Sequence, residues 1–281
     1  MSGTGENDAR ALAELRGRID AIDAEIHRQL IARSSVIDAL VRIKGTSAPG
    51  AAFRPAREAD MMRRLVARHH GALPLATVEH IWREIITTFT RMQADFDVAF
   101  DTSIAPEEMR DLGRFYFGFS VDLIPLSGAT TVVAHVAEAN DLGLIAVRQP
   151  PGAGAWWRAL VGPSAPRITA LLPFIRAAGR PANQPAFVVS PRLADPTPPE
   201  LHIYAAEATG FRPFAECEVL SSDGDDVLIA IPAMLDPAIA ARRAGIPASA
   251  LVEVGGIQRG IALDGAESLL FAGPQSAKVA S

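Results

Sequence analysis

The sequence predicts a multidomain chain: an all-α N-terminal domain of three helices over residues 1–97, then an α/β (α+β) region over residues 98–281. Three observations predict this. Apolar residues between Leu12 and Lys44 recur in steps of three and four, the signature of one helix stripe. That stretch holds no proline and a single glycine, Gly17. After Asp97 the texture changes to short β-prone runs that alternate with helix-like stretches and Pro/Gly connectors.

The first helix, roughly Ala11 to Lys44, carries its stripe at Leu12, Leu15, Ile19, Ile22, Ile26, Leu30, Ile37 and Leu40. At about 1.5 Å per residue it is roughly 50 Å long, more than the width of a domain this size. One chain cannot easily cover such a stripe, so a homodimer with two such helices packed together is expected. Continuing the rhythm past Leu30 lands on Arg33, and past Leu40 on Lys44. Two cations thus interrupt the seam on one face, about three turns apart. A buried charge needs an anion nearby, supplied either by the protein or by a ligand.

Gly45 to Ala52 reads as a Gly/Pro/Ser loop. A second helix starts at Pro55, a favoured first-turn residue, and runs to about His69, with Gly71 as its stop. A third begins after a Thr77 cap, with Val78, Ile81, Trp82, Ile85, Ile86, Phe89 and Met92 as its stripe and Gln93 along the same edge.

Beyond Asp97 the predicted strands are Val121–Leu126, Leu142–Val147, Ala186–Val189, Leu201–Ala206, Val227–Ile231 and Ala250–Val254. The proline-rich joint Pro191 to Pro199 divides the region near residue 197, and residues from Gly273 onward read as a frayed tail.

Composition narrows the functional classes. The 281 residues are 49% hydrophobic and 21% charged, with a net charge of −5. Residues 1–95 hold 14 Lys+Arg against 12 Asp+Glu, too slight a basic excess for a nucleic-acid footprint but enough for a small anionic substrate. No apolar run approaches the roughly 20 residues needed to span a bilayer. Met1 to Arg10 is polar and acidic without a leader-type apolar stretch, so the expected location is cytoplasmic. The single cysteine, Cys217, excludes an internal disulfide and reads as a packing residue. His135 and His202 have no metal-ligand spacing around them, and Gly255-Gly256 is a turn rather than a phosphate loop. No metal and no cofactor is expected.

Leu12 through Asp20, Ala32-Arg33-Ser34, Arg42-Ile43-Lys44, Arg57-Glu58 and Gln93, in this order on a long–short–medium helix pattern, resemble an AroQ-type chorismate mutase. The resemblance implies an all-helical domain, an intertwined dimer, and an active site that takes residues from both chains. It implies chorismate as substrate and its rearrangement to prephenate, within aromatic amino-acid biosynthesis. Arg33 would clamp one carboxylate, Arg16 would reach in from the partner subunit, and Arg57 would add positive charge. Lys44 and Gln93 would donate hydrogen bonds to the ether oxygen, and Glu58 would accept one from the ring hydroxyl. The chemistry suits these residue types: a unimolecular rearrangement of a dianion needs positioning and fixed positive charge, not a nucleophile. Two positions depart from the family pattern: Arg54 stands where many members have aspartate, and Phe89 where serine is frequent. Isochorismate, whose lyases share the helical scaffold, stays open as an alternative substrate.

Arg110 to Gly118, Leu123 to Ser127 and Val132 to Val147 resemble part of a prephenate dehydratase domain, over about forty residues. That family's Asn-x-Thr-Arg-Phe motif corresponds to Asn183-Gln-Pro-Ala-Phe187, with Pro185 and Ala186 in place of threonine and arginine. Neither can perform the motif's chemistry, so the expectation is a mutase with a degenerate dehydratase-like region. The alternatives are a bifunctional mutase–dehydratase and an inactive helical dimer serving as a sensor or partner.

Overall fold

The computed structural model describes residues 3–44, 53–139, 141–150, 152–193, 197–207, 209–265 and 267–273. The expected loop at 45–52 and the tail beyond Gly273 lie outside them. Three helices come first: α1 (Gly3–Lys44), α2 (Pro55–Arg68) and α3 (Leu75–Arg91). Then follow β1 (Val98–Asp101), α4 (Pro106–Phe117), β2 (Leu123–Leu126), α5 (Ala129–Ala139) and β3 (Leu142–Ala146). A 3₁₀ turn at Trp156–Leu160 precedes β4 (Arg167–Leu172), β5 (Ile175–Arg176) and β6 (Ala186–Ser190). The last elements are β7 (Leu201–Glu207), β8 (Glu218–Asp223), β9 (Asp226–Pro232), α6 (Pro237–Ala244), β10 (Leu251–Ile257), β11 (Gly260–Ala262) and β12 (Phe271–Ala272). The predicted succession, long helices and then a mixed-sheet α/β region, is the one found.

Compact packing divides the chain at Ser47/Ala48. The first unit is α1. In the second, nine strands form one mixed sheet in the order β2-β1-β3-β6-β4-β10-β7-β9-β8, and β12-β11-β5 form a small parallel sheet. β1 lies between parallel β2 and β3, with α4 and α5 as crossovers, as strand–helix–strand units require. From β10 to β8 the pairing is antiparallel. The sheet runs unbroken past the joint expected near 197.

Side-chain alternation along the strands supplies two cores. Ala99, Ile145, Phe187, Ile203 and Leu228 face one side, where α5 and the Trp156-Trp157 pair cover them. Phe100, Leu144 and Val188 face the other side under α4, and farther along Tyr204 and Ile229 lie under α6. Each such large apolar side chain contributes about 1.5–3 kcal/mol by burial. Gly143 lets α5 settle directly on β3, since a Cβ there would sit 2.7 Å from a Val132 methyl. The Asp236 carboxylate accepts from the Ala238 and Ile239 amides to start α6, and Gly245 at φ 75° ends it.

The boundary expected at residue 97 marks the change from helix to strand, whereas packing joins both sides of it. Ala59, Met62, Leu65 and Ile86 share one cluster with Phe174, Ile175 and Ile261, so α2 and α3 are built onto the small sheet.

Two details of α3 differ from expectation. Its N-cap is Pro74, not Thr77. It buries Glu79, Arg83, Ile86, Thr87, Phe89 and Thr90, while Ile81 and Met92 are exposed. The face is rotated because α3 packs against α4 through polar side chains that satisfy one another, described below.

Candidate active site

The expected site residues fall on both units. On α1, Arg16 is exposed and Arg33 is half-buried; Lys44 ends the helix, and its side chain lies outside the described residues. Seventeen residues separate Arg16 from Arg33, roughly 25 Å along the axis. Leu12, Leu15, Ile19, Ile22 and Ile26 are 51–58% exposed.

In the second unit, Arg57 and Glu58 occupy the first turn of α2, Arg57 exposed and Glu58 turned inward. The Arg83 guanidinium donates to Glu58 Oε2 at 2.9 Å. Burial pushes the Glu58 carboxyl above the usual glutamate range, and the Arg83 charge opposes that shift. Gln93 lies just past α3, and its amide donates to the Phe89 carbonyl at 2.8 Å. Phe89 itself is buried in the helix face. Arg54 is the N-cap of α2 and makes no side-chain cap bond. A cavity of about 40 Å³ touches Glu58, Arg83, Thr87, Thr90 and Tyr116, room for a few waters.

Behind Glu58 lies a buried network that sequence reasoning missed. Arg180 donates to Glu79 at 2.6 Å, and the Tyr116 hydroxyl donates to the same carboxylate at 2.9 Å. The Phe174 amide donates to the Tyr116 oxygen at 2.8 Å, and Arg83 stacks over the Tyr116 ring at 4.9 Å. Burial first, then the Glu79 charge, pushes the Tyr116 hydroxyl well above the usual phenol range. The available signal was the (i, i+4) pair Glu79 and Arg83, which the apolar stripe of α3 obscured.

The dehydratase-like motif stands at the head of β6. Asn183 and Pro185 are exposed, whereas Ala186 is fully buried opposite Leu172, so no cation occupies that position. Cys217 packs with Phe211 and Phe214, and burial pushes its thiol up to about 11. His135 bonds Asp141 at 2.8 Å, and among the described residues no cluster of His, Cys, Asp or Glu has the makings of a metal site. Among them, too, no helix is long and apolar enough to cross a membrane.

A long helix bearing spaced cations, two shorter helices and a following α/β region are the features to set beside known proteins. Residues 15–94 match the family model for chorismate mutase type II. A bifunctional chorismate mutase/prephenate dehydratase of Neisseria gonorrhoeae is 35% identical over 85 residues, covering 30% of this chain and 23% of the relative. One of the same description from Stutzerimonas stutzeri is 28% identical over 153 residues, 50% of this chain and 40% of the relative. The matched stretches thus span less than half of these curated relatives. No solved structure matches the chain.

Proposed function

We propose that this protein is a chorismate mutase that converts chorismate to prephenate without a cofactor. The observation that carries the proposal is the ordered cation set Arg16, Arg33 and Lys44 on one long helix, within the segment matching the mutase family. In the rearrangement the ether C–O bond breaks as a C–C bond forms within one molecule, and no proton or electron leaves. Arg33 and Arg57 hold the carboxylates by charge and by fork geometry. Lys44 and Gln93 stabilise the negative charge growing on the ether oxygen. For that role the Gln93 amide must exchange its Phe89 carbonyl for substrate. Glu58 orients the ring hydroxyl as an acceptor, supported from behind by Arg83.

Arg16 cannot share one molecule with Arg33 of its own helix across roughly 25 Å. It therefore serves the site of a second copy, and the exposed α1 stripe is the surface on which two copies pack as a homodimer. The chain works in the cytoplasm, with no nucleic acid or membrane as partner.

Chorismate consumption by the purified protein, with prephenate accumulating and no phenylpyruvate formed, is the expected result. Phenylpyruvate at neutral pH would establish the bifunctional alternative that the relatives' descriptions favour. No turnover would leave the inactive dimer. Arg33→Ala removes about 3–4 kcal/mol of transition-state stabilisation, a loss of roughly 10²–10³ in kcat. Helicity by circular dichroism stays unchanged, and a fully active variant would refute the assignment.

A further inference from the structure

A second cationic cavity lies in the middle of the nine-stranded sheet. β4 and β10 run parallel there, joined at one register position, Gly255 opposite Ile168. A Cβ on Gly255 would stand 2.3 Å from the Ile168 carbonyl oxygen, so only glycine permits that approach. Around this single junction opens a cavity of about 200 Å³. Arg54, Arg167 and Arg192 all line it, against one carboxylate among the described residues, Glu253. Glu253 leans toward His202, at 3.4 Å.

Arg167 and Arg192 are held by neutral partners. Arg167 donates to the backbone carbonyl of Glu253, and Arg192 donates to the Gly162 carbonyl at 3.2 Å. Among the described residues neither has a carboxylate within ion-pair distance. The two are close enough to repel: burial, followed by the Arg192 charge, holds the Arg167 pKa down. Concentrating like charge at the mouth of a cavity raises the local affinity for anions.

A third contribution comes from α2, whose first residues, Pro55 and Ala56, line the same space. The Arg54 side chain makes no cap bond there, and the positive end of the α2 dipole lies at this wall. Thr169, Thr197 and Gln258 add hydrogen-bonding groups, and Ile168, Leu193 and Pro199 add an apolar wall. Polar and apolar surface together suit an organic acid better than a bare ion.

We propose that the cavity between Arg54, Arg167 and Arg192 is a binding site for a small organic acid carrying two negative charges on carboxylate or phosphate groups. It is a different place from the dehydratase-like motif. Arg167 pairs with Ser190 at one end of the β4–β6 ladder, whereas that motif adjoins Ala186 and Leu172 at the other. The proposal does not depend on the mutase activity, since none of Arg57, Glu58 and Gln93 lines the cavity.

Calorimetric titration of the 281-residue chain in chloride buffer, with succinate, 3-phosphoglycerate and inorganic phosphate as probes, tests it. At least one of the two organic acids should bind saturably and more tightly than inorganic phosphate. Arg192→Gln, a change at an exposed side chain, and Arg167→Gln should each weaken that binding by about tenfold or more, as loss of a charge-assisted bond implies. Arg33→Ala should leave it intact, which separates this site from the mutase site. Failure of both organic probes to bind overturns the proposal, as does binding that survives both arginine substitutions. Binding lost on Arg33→Ala overturns it as well, because the anion would then belong to α1. Phosphate binding as tightly as the organic acids would show an adventitious ion only.

Discussion

Glu58 shows how one contact sets what a side chain can offer. Its carboxylate is turned inward and held by Arg83, and burial raises its pKa. Because the folded-state value lies above the unfolded one, the group's stabilisation is greatest at acid pH and diminishes as pH rises through the folded value. The acceptor role proposed for it runs the opposite way: protonation on acidification would remove the carboxylate that is to orient the substrate hydroxyl. The acid limb of kcat/KM should therefore fall above the ordinary glutamate range, and Glu58→Gln should abolish that limb, keeping a bond to Arg83. A wild-type limb at the usual glutamate position would contradict the inward placement.

Glu79 is a starker case at the same scale, since the side chains of both Glu79 and Arg180 are almost wholly buried. Glu79→Ala strands a guanidinium in the interior and should cost about 3–5 kcal/mol, read from the denaturation midpoint. Replacing both partners with leucine and methionine should recover much of that loss, because the desolvation cost of the pair disappears with it. Equal losses in the single and double variants would exclude the pair as the cause.

At the scale of elements, the sequence was most legible where a period persisted. The stripe of α1 and the β-branched runs of β3, β6, β7, β9 and β10 were found, with ends displaced by a few residues. β1, only four residues, offers too short a run to show a period, and β8, Glu218–Asp223, is a polar edge strand. β4 was hidden by Arg167 at its start and Pro173 just beyond its end. The face of α3 was misjudged because hydrophobicity alone chose it, whereas Glu79 and Arg83 reach complementary partners only after the chain has folded. For the same reason the candidate site was legible as an ordered set of residue types, but its supporting network was not.

The α1 stripe makes a prediction of its own. Ile19→Asp together with Ile22→Asp leaves the backbone pattern helical while placing charge where two copies should meet. Sedimentation should shift from dimer to monomer at micromolar concentration, and turnover should fall with it. A double variant that remains dimeric would locate the contact elsewhere.

At the scale of the whole molecule, the change of texture after Asp97 was a sound guide to secondary structure, and packing drew its own line at Ser47/Ala48. A sequence period reports which face of an element is apolar, not which element covers it. The cluster of Met62 and Ile86 with Phe174 and Ile261 joins residues up to about two hundred positions apart, a separation beyond any local pattern. That cluster makes α2 and α3 part of the α/β body as much as of the segment that matches the mutase family.

The placement of the three indole rings gives this arrangement an optical signature. Trp156 and Trp157 are sealed within the large core, and Trp82 packs beside the α2–α3 cluster, while the 42 residues of α1 contain no tryptophan. Intrinsic emission therefore reports on residues 48–281 alone, whereas the far-ultraviolet helical signal draws heavily on α1. If the long helix melts as its own unit, thermal traces from the two probes will separate. If two copies hold it in place, dilution will shift the helical trace and leave the emission trace where it was.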